Sequence, residues 1–411
     1  MNEDAAPRPR RTALRSLTAI DPYDTYRSAG EQSLVNWDDS LGGWTVLGFD
    51  ECSAVLKDDS TFVMAWTTLE GGDAALGKYG IFNLTGEAHA QAHKELLDFF
   101  NPRKNLALRP AVRRVVQDSF QRIAGSDHVD FTHDIAQRVS GLMALAFLGV
   151  PQDESVLGLV HEANTKLQNY MQGFGDDPVA LEELQTAQAQ LQAMWTPTFE
   201  ARRAQPRSDL VSKLLAMQSS LPDWQEEELA SQCLFYFGAS FGNTANTIAN
   251  AAYVLATDEG LQQELREYPE QIPVFVDEVL RVWASVQFRI RIATRDTEIA
   301  GQPIRAGDRV ILVVGAANRD ERQFPDADRV DVKRTGSRRH LTFGVGSRYC
   351  VGATLARVEV EEILSALLGG DARISLAQPD GPVHFGGLNY RVWEPFLLRV
   401  SSGSAAKVPA T

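Results

Sequence analysis

The sequence predicts a mainly α-helical protein with a minor β portion, and three observations carry that expectation. From Gly86 to Ala256 one helical periodicity follows another with hardly a break, the stretch from Ser231 to Thr257 holds no charged residue, and strand-like alternation is confined to short stretches before Gly86 and the region after Trp283. The chain has 411 residues, 44% hydrophobic and 23% charged, which is ample for a deep core and excludes disorder, collagen-like repetition and a disulfide scaffold. Forty Lys and Arg against 54 Asp and Glu leave a net charge of −14, which argues against broad attraction to nucleic acid or anionic lipid. The three cysteines, Cys52, Cys233 and Cys350, are too far apart to suggest a disulfide framework or a paired-cysteine metal site, and a reducing cytoplasm is the simplest setting.

Along the chain, the basic start lacks an apolar run, so it reads as a tail rather than a secretory signal or anchor. Short strands at Trp44–Leu47 and Ser60–Val63 flank a helix opening at Phe49. Helices are then expected over His89–Phe99, Leu108–Ile123, Phe131–Gly149, Val156–Met171, Pro178–Arg203, Leu210–Gln218 and Glu226–Ala256, with Pro102, Pro151, Pro206 and Pro222 punctuating them. The uncharged stretch is long enough to cross a bilayer, but Gln232, Ser240, Asn243, Asn246 and Asn250 recur through it and Gly238 and Gly242 interrupt it, which suits a helix buried in a large protein. A helix over Ile272–Trp283 precedes strands from Phe288 and Val310 with a turn at Ala300 and Gly301. A last helix, Ala353–Leu368, precedes a strand pair around Val383–Val400. No internal repeat and no linker divides the chain.

The chemistry concentrates in Phe343–Gly352, directly ahead of that last helix. Gly344 and Gly346 permit backbone geometry that a Cβ would forbid, and Cys350 stands just before a helix N-terminus, where dipole and free N–H groups favour a thiolate able to ligate iron. Gly352 would let the helix backbone lie against a flat cofactor. A dinucleotide fingerprint needs a different glycine spacing and a βαβ setting, and an inert buried cysteine leaves the rest of the motif unexplained.

On these residues the sequence resembles the cytochrome P450 superfamily in its bacterial soluble form, nearly end to end. Phe343-Gly-x-Gly-x-Arg348-x-Cys350-x-Gly352 matches the haem-binding loop, and Glu278-x-x-Arg281 with Arg329 resembles the family's structural triad. The resemblance implies the mainly α P450 fold, a triangular haem-thiolate prism, with a single catalytic domain over 19–400 between tails 1–18 and 401–411. It implies haem b as cofactor, with Cys350 as the axial ligand of the iron and Phe343, Gly344, Gly352 and Ala239 beside it. Arg291, Arg348, His89 and His93 match propionate-binding positions, with His340 a weaker candidate; the family usually has Arg where His93 stands, and a histidine's charge depends on pH. An i,i+4 metal pair is the competing reading of His89 and His93, but no third ligand sits at the spacing it needs.

The long helix departs from the family. Where an acid and an alcohol usually relay protons, this chain has Gly242 and Asn243, with Thr244 one residue late. Trp66, Tyr170, Phe174, Phe241, Phe288, Tyr390 and Trp393 are the aromatic pocket candidates. The implied activity is monooxygenation of a small organic molecule, in the tailoring of a secondary metabolite, by a cytoplasmic monomer fed by ferredoxin and ferredoxin reductase. Arg103, Lys104, Arg338 and Arg339 are candidates for docking the ferredoxin. The alternatives are a haem-thiolate isomerase, dehydratase or peroxide-using enzyme, which the Gly242-Asn243 pair favours, and a non-enzymatic haem sensor or ligand carrier.

Overall fold

The run Arg309–Val313 shows how sequence pattern becomes architecture. Successive strand residues point to opposite faces, yet Val310, Ile311, Leu312 and Val313 are all buried, so both faces of their sheet must be covered. The computed structural model, which describes residues 10–11, 22–65, 75–126, 128–172, 177–219, 224, 228–369, 373–377, 384–385, 391–393 and 395–401, shows how. Val310 and Leu312 join Trp44, Val46 and the inner side of helix Phe49–Lys57 (Cys52, Val55, Leu56), while Ile311 and Val313 join Phe288, Tyr23 and Tyr26 on the other face. Tyr23 and Tyr26 come from a helix over Tyr23–Gln32 that the periodicity did not announce.

The chain forms two compact units interleaved in sequence. The first comprises Met1–Thr68, Asp277–Cys350 and His384–Val392, and the second Leu69–Val276, Val351–Val383 and Trp393–Thr411. The first is built on a six-stranded sheet in the order Arg10–Arg11, Val35–Asp38, Gly43–Val46, Arg309–Val313, Phe288–Ala293, Phe62–Met64. Arg10–Arg11, within the stretch expected to be a tail, pairs in parallel with Trp37 and Asp38. The expected turn at Ala300 (φ 48°) and Gly301 (φ 80°) joins the hairpin strands Thr297–Ile299 and Gln302–Ile304, whose two-residue connection requires positive φ at both positions.

The second unit is helical. Its axis is the helix Glu228–Thr257, packed against the helices Arg138–Leu148, Glu154–Gln172, Pro178–Ala204 and Ala353–Leu368. The predicted helices are present with ends shifted by a few residues. Two short ones, Pro102–Ala107 and Glu259–Glu267, were not predicted, and the start of the expected Phe131–Gly149 helix is a π-helical turn over Thr132–Gln137. Pro197 lies inside the helix Pro178–Ala204, an exception to prolines marking only the helix ends. Glu361 and Glu362 of the last helix clamp Arg109, and Glu362 also pairs with Arg113 (2.8 Å). Among the described residues no helix is long and apolar enough to cross a membrane.

Gln262 ties the end of the long helix to the strand Arg373–Leu376. Its buried carboxamide donates to Leu255 O and Ile374 O, both at 2.8 Å, and accepts from Ile374 N at 3.2 Å. Gln262→Ala removes that partner from Ile374 N and O, while Leu255 O keeps its bond from Asp258 N (3.2 Å), so unfolding free energy should fall by about 2 to 4 kcal/mol. Urea denaturation measures it, and a loss below about 0.5 kcal/mol would mean water replaces the amide.

Candidate functional site

In the first unit the loop ahead of Cys350 is shaped by its glycines. Gly344 and Gly346 adopt φ of +71° and +77°, and a Cβ on Gly346 would press on Lys57 Cα and Leu56 O at 3.3 and 3.4 Å. The loop closes on itself through Gly344 N to Leu341 O (2.8 Å) and Cys350 N to Phe343 O (2.9 Å), and it leaves the Cys350 side chain exposed. Gly352 is the N-cap of helix Ala353–Leu368 at φ −85°, so its backbone conformation makes no demand for glycine.

Behind the loop, Arg291 lies on the strand Phe288–Ala293 and is only 3% exposed. Its Nη1 donates to Ile290 O, its Nε finds no acceptor, and it makes no ion pair with any described carboxylate. Burial, then the nearby Arg348 and Arg289 charges, pull its pKa down to about 10. A buried cation lacking an anion is the complement of a carboxylate-bearing ligand. Together with an exposed thiol it forms a donor set that fits a haem held by thiolate and propionate. Arg348 differs, for its Nε lies 3.3 Å from Asp59 Oδ2, and that carboxylate opposes the lowering of its pKa by burial. His340 Nε2 lies 3.5 Å from Asp277 Oδ1 and its Nδ1 accepts from Thr342 N, the geometry of a packed loop histidine.

Glu278 and Arg281 form the expected i,i+3 pair, fully buried and bidentate at 2.8 Å on both sides. The third guanidinium is not Arg329. That side chain is exposed and contributes only its carbonyl, to Arg281 Nη2 at 2.8 Å, whereas Arg334 Nε reaches Glu278 Oε2 at 3.0 Å. The chain bends between Arg329 and Arg334, with Asp331 N also donating to Glu278 (3.0 Å), and this bend turns the later arginine inward.

In the second unit His89 is buried, His93 is partly buried, and their rings stack at 5.4 Å, one turn apart. The long helix is buried continuously from Leu229 to Ala252 except at Ala239, Ser240, Gly242 and Asn243, which open one accessible window. A Cβ on Gly242 would meet nothing within 4 Å. Asn243 Nδ2 donates to Ala239 O (3.0 Å), while its buried Oδ1 has no partner. Thr244, about 100° further round the helix, is buried and falls outside the window.

Among the pocket candidates, Phe241 stacks on Phe237 (5.1 Å) and tilts against His161 (4.9 Å). Phe288 is a core residue edge-on to Tyr26, and Tyr170 is 1% exposed. Trp393 is also a core pillar: it stacks on Tyr253 at 4.2 Å and its Nε1 donates to Asn250 Oδ1 at 2.6 Å. Phe288 and Trp393 are held by neighbouring side chains, and all three of these aromatics are buried. Trp66, Phe174 and Tyr390 lie outside the described residues. Arg103, Lys104, Arg338 and Arg339 are all exposed, though Arg338 pairs with Asp277 (2.9 Å) and Lys104 lies 3.8 Å from Asp98. Asp59 and Arg334 are not legible in the sequence, because their partners lie far along the chain with no local spacing to announce them.

Two predictions follow from this chemistry. Arg334→Ala, like Glu278→Ala, leaves buried charge uncompensated and should cost roughly 3 to 5 kcal/mol and most of the haem on purification, whereas Arg329→Ala should cost under about 1 kcal/mol. Haem content per chain and thermal unfolding read both, and equal losses for Arg329→Ala and Arg334→Ala would refute the assignment. Removing the unpaired cation with Arg291→Met should stabilise the haem-free protein by roughly 1 to 3 kcal/mol yet speed haem transfer to apomyoglobin. A variant that is less stable without haem contradicts the unpaired state.

Comparison with known proteins agrees with this chemistry. Residues 45–369 match the family Cytochrome P450. The chain is 31% identical over 374 residues to mycinamicin IV hydroxylase/epoxidase of Micromonospora griseorubida, covering 89% of this chain and 91% of that protein. It is 30% identical over 373 residues to 6-deoxyerythronolide B hydroxylase of Saccharopolyspora erythraea, covering 87% and 90%. The crystal structure of P450BioI in complex with hexadec-9Z-enoic acid ligated acyl carrier protein superposes with a TM-score of 0.82 at 26% identity, covering 93% of this chain and 99% of that one. A match over most of the length, a cysteine loop of the right form and a shared fold leave one conclusion: the chain belongs to the cytochrome P450 family, haem-dependent oxidoreductases of the monooxygenase type.

Proposed function

We propose that this protein oxygenates a small, largely apolar organic molecule of secondary metabolism, as a cytoplasmic monomer drawing electrons from a ferredoxin and its reductase. The observation that carries the reading is the accessible window at Ala239–Asn243 in an otherwise buried helix, in a chain whose Cys350 loop has the haem-thiolate form. The hydroxylase names of the Micromonospora and Saccharopolyspora relatives support it.

When bound, haem supplies dioxygen activation, with electron density pushed to the iron by its thiolate ligand. Cys350 would be that ligand, and Arg291 would neutralise a propionate with the charge it now carries unpaired. His93 is a second propionate donor. Asn243 donates one of its two N–H groups to Ala239 O and leaves its Oδ1 acceptor unpartnered: it can orient a water or substrate hydroxyl but cannot deliver a proton as a carboxylic acid does. The open space at Gly242 has room for such a water. Proton delivery then depends on that water or on a polar group of the substrate, so poorly fitting substrates leak peroxide.

A second reading, a haem-thiolate isomerase, dehydratase or peroxide-using enzyme, is favoured by the same unpartnered Asn243 Oδ1, which suits an oxygen already present in the substrate. Wild type, Asn243→Ala and Gly242→Asp/Asn243→Thr are compared with the reductase system and with peroxide. The double variant should raise product per NAD(P)H severalfold and Asn243→Ala should lower it. Turnover by wild type without reductant, abolished in Asn243→Ala, would install the second reading instead. Cys350→Ala should lose the thiolate-type ferrous carbon monoxide band, and an unchanged spectrum removes Cys350 as ligand.

A further inference from the structure

Two unsatisfied carboxamides meet over a glycine beside the window. Asn164 and Gln168 lie four apart, on one face of the helix Glu154–Gln172. Asn164 is 5% exposed, yet its Oδ1 accepts no hydrogen bond, and neither does the buried Oε1 of Gln168. Both converge on Gly238 of the long helix: a Cβ there would collide with Asn164 Oδ1 and lie 3.5 Å from Gln168 Nε2. Gly238 therefore makes room for polar groups that find nothing to bond to within the protein. Such groups give up hydration on folding, and buried amides in that state are completed by a bound water or by a ligand.

Position and charge say which ligand. Gly242 lies one turn beyond Gly238, about 6 Å along the same face, and is part of the window. The rings of Phe241 and His161 close the side between them. The long helix has no charged residue from Leu229 to Thr257, and the nearby charges Glu162 and Lys166 neutralise each other at 3.1 Å. A carboxylate or ammonium would find no counter-ion on the long helix from Leu229 to Thr257, whereas an amide oxygen matches a neutral donor.

We infer that Asn164 and Gln168 form a specificity site that takes a hydroxyl group of an otherwise apolar substrate, anchoring it one helical turn from the window. This deepens the monooxygenase reading and rests on it, since the window must face the substrate. A hydroxyl donates its one proton to one carboxamide oxygen, and its own oxygen can accept from the other side chain's N–H, so each amide holds one bond to the ligand.

The test measures equilibrium dialysis constants of the haem-loaded protein for 1-adamantanol, isoborneol and 1-decanol, each against its matched hydrocarbon. Wild type should bind at least one alcohol about tenfold more tightly than its hydrocarbon, equivalent to about 1.4 kcal/mol. Asn164→Leu/Gln168→Leu should abolish that preference and raise the unfolding temperature of the substrate-free protein. Gly238→Ala, which pushes the Asn164 amide aside, should abolish it too and keeps the test usable if the double variant does not fold. No preference in wild type, including no binding of any probe, or a preference surviving in both variants, overturns the inference. Ferrous carbon monoxide spectra of the same samples report thiolate ligation separately. A normal band without alcohol preference therefore sinks this site alone, and an abnormal band with the preference intact sinks the haem-thiolate reading alone.

Discussion

The carboxylate of Glu278 is the point on which the first unit's chemistry rests. It is wholly buried and accepts from Arg281 twice, from Asp331 N and from Arg334 Nε. Arg281 spends all five of its donors, on Glu278, Asn318 O, Ala327 O and Arg329 O. Charges so deeply desolvated are tolerable only when every lone pair and proton is engaged, so the helix Ile272–Val282 and the segment from Asn318 to Arg334 are held in one arrangement. Asn318 carries that order onward: its Nδ2 donates to Thr342 Oγ1 and its Oδ1 accepts from Leu341 N, immediately before the cysteine loop.

Against that saturation, the incompletely bonded groups gain meaning. Arg291, Asn243, Asn164 and Gln168 each have a buried polar atom without a partner, in a protein that elsewhere bonds a buried glutamine such as Gln262 three times over. Other buried atoms, Ser140 Oγ and Trp195 Nε1 among them, also lack a partner, so it is position beside the cysteine loop or the window that marks these four. The unpaired cation suits an anionic cofactor edge, and the neutral amides suit neutral oxygen functions. Glycine assists both, by positive φ in the cysteine loop and by simple absence of volume at Gly238 and Gly242.

The missing relay acid changes how the protein can control its chemistry. A side-chain acid would make proton delivery a fixed property of the enzyme. An amide beside open space makes it a property of the complex, because the water or hydroxyl that fills the space completes the path. A substrate anchored by a hydroxyl one turn away would place its remaining surface, and any ordered water, reproducibly, which links specificity to coupling.

Much of this was legible in the sequence because the relevant constraints are local. Helical and strand periodicity, the helix Ala353–Leu368, the turn at Ala300–Gly301, the glycines around Cys350 and the Glu278–Arg281 spacing are set by backbone sterics and by neighbours within a turn. The uncharged helix carried its own burial, and the window falls inside the segment Ala239–Thr244 that the family resemblance singled out. What only the tertiary structure decided was pairing across long separations: Arg334 rather than Arg329 on Glu278, Asp59 on Arg348, Phe288 and Trp393 in cores rather than open to a ligand, and the meeting of Asn164 and Gln168 over Gly238. Those outcomes depend on which surfaces the packed helices and strands bring together, and hydrogen bonding and desolvation select a partner only once that packing has set the distances.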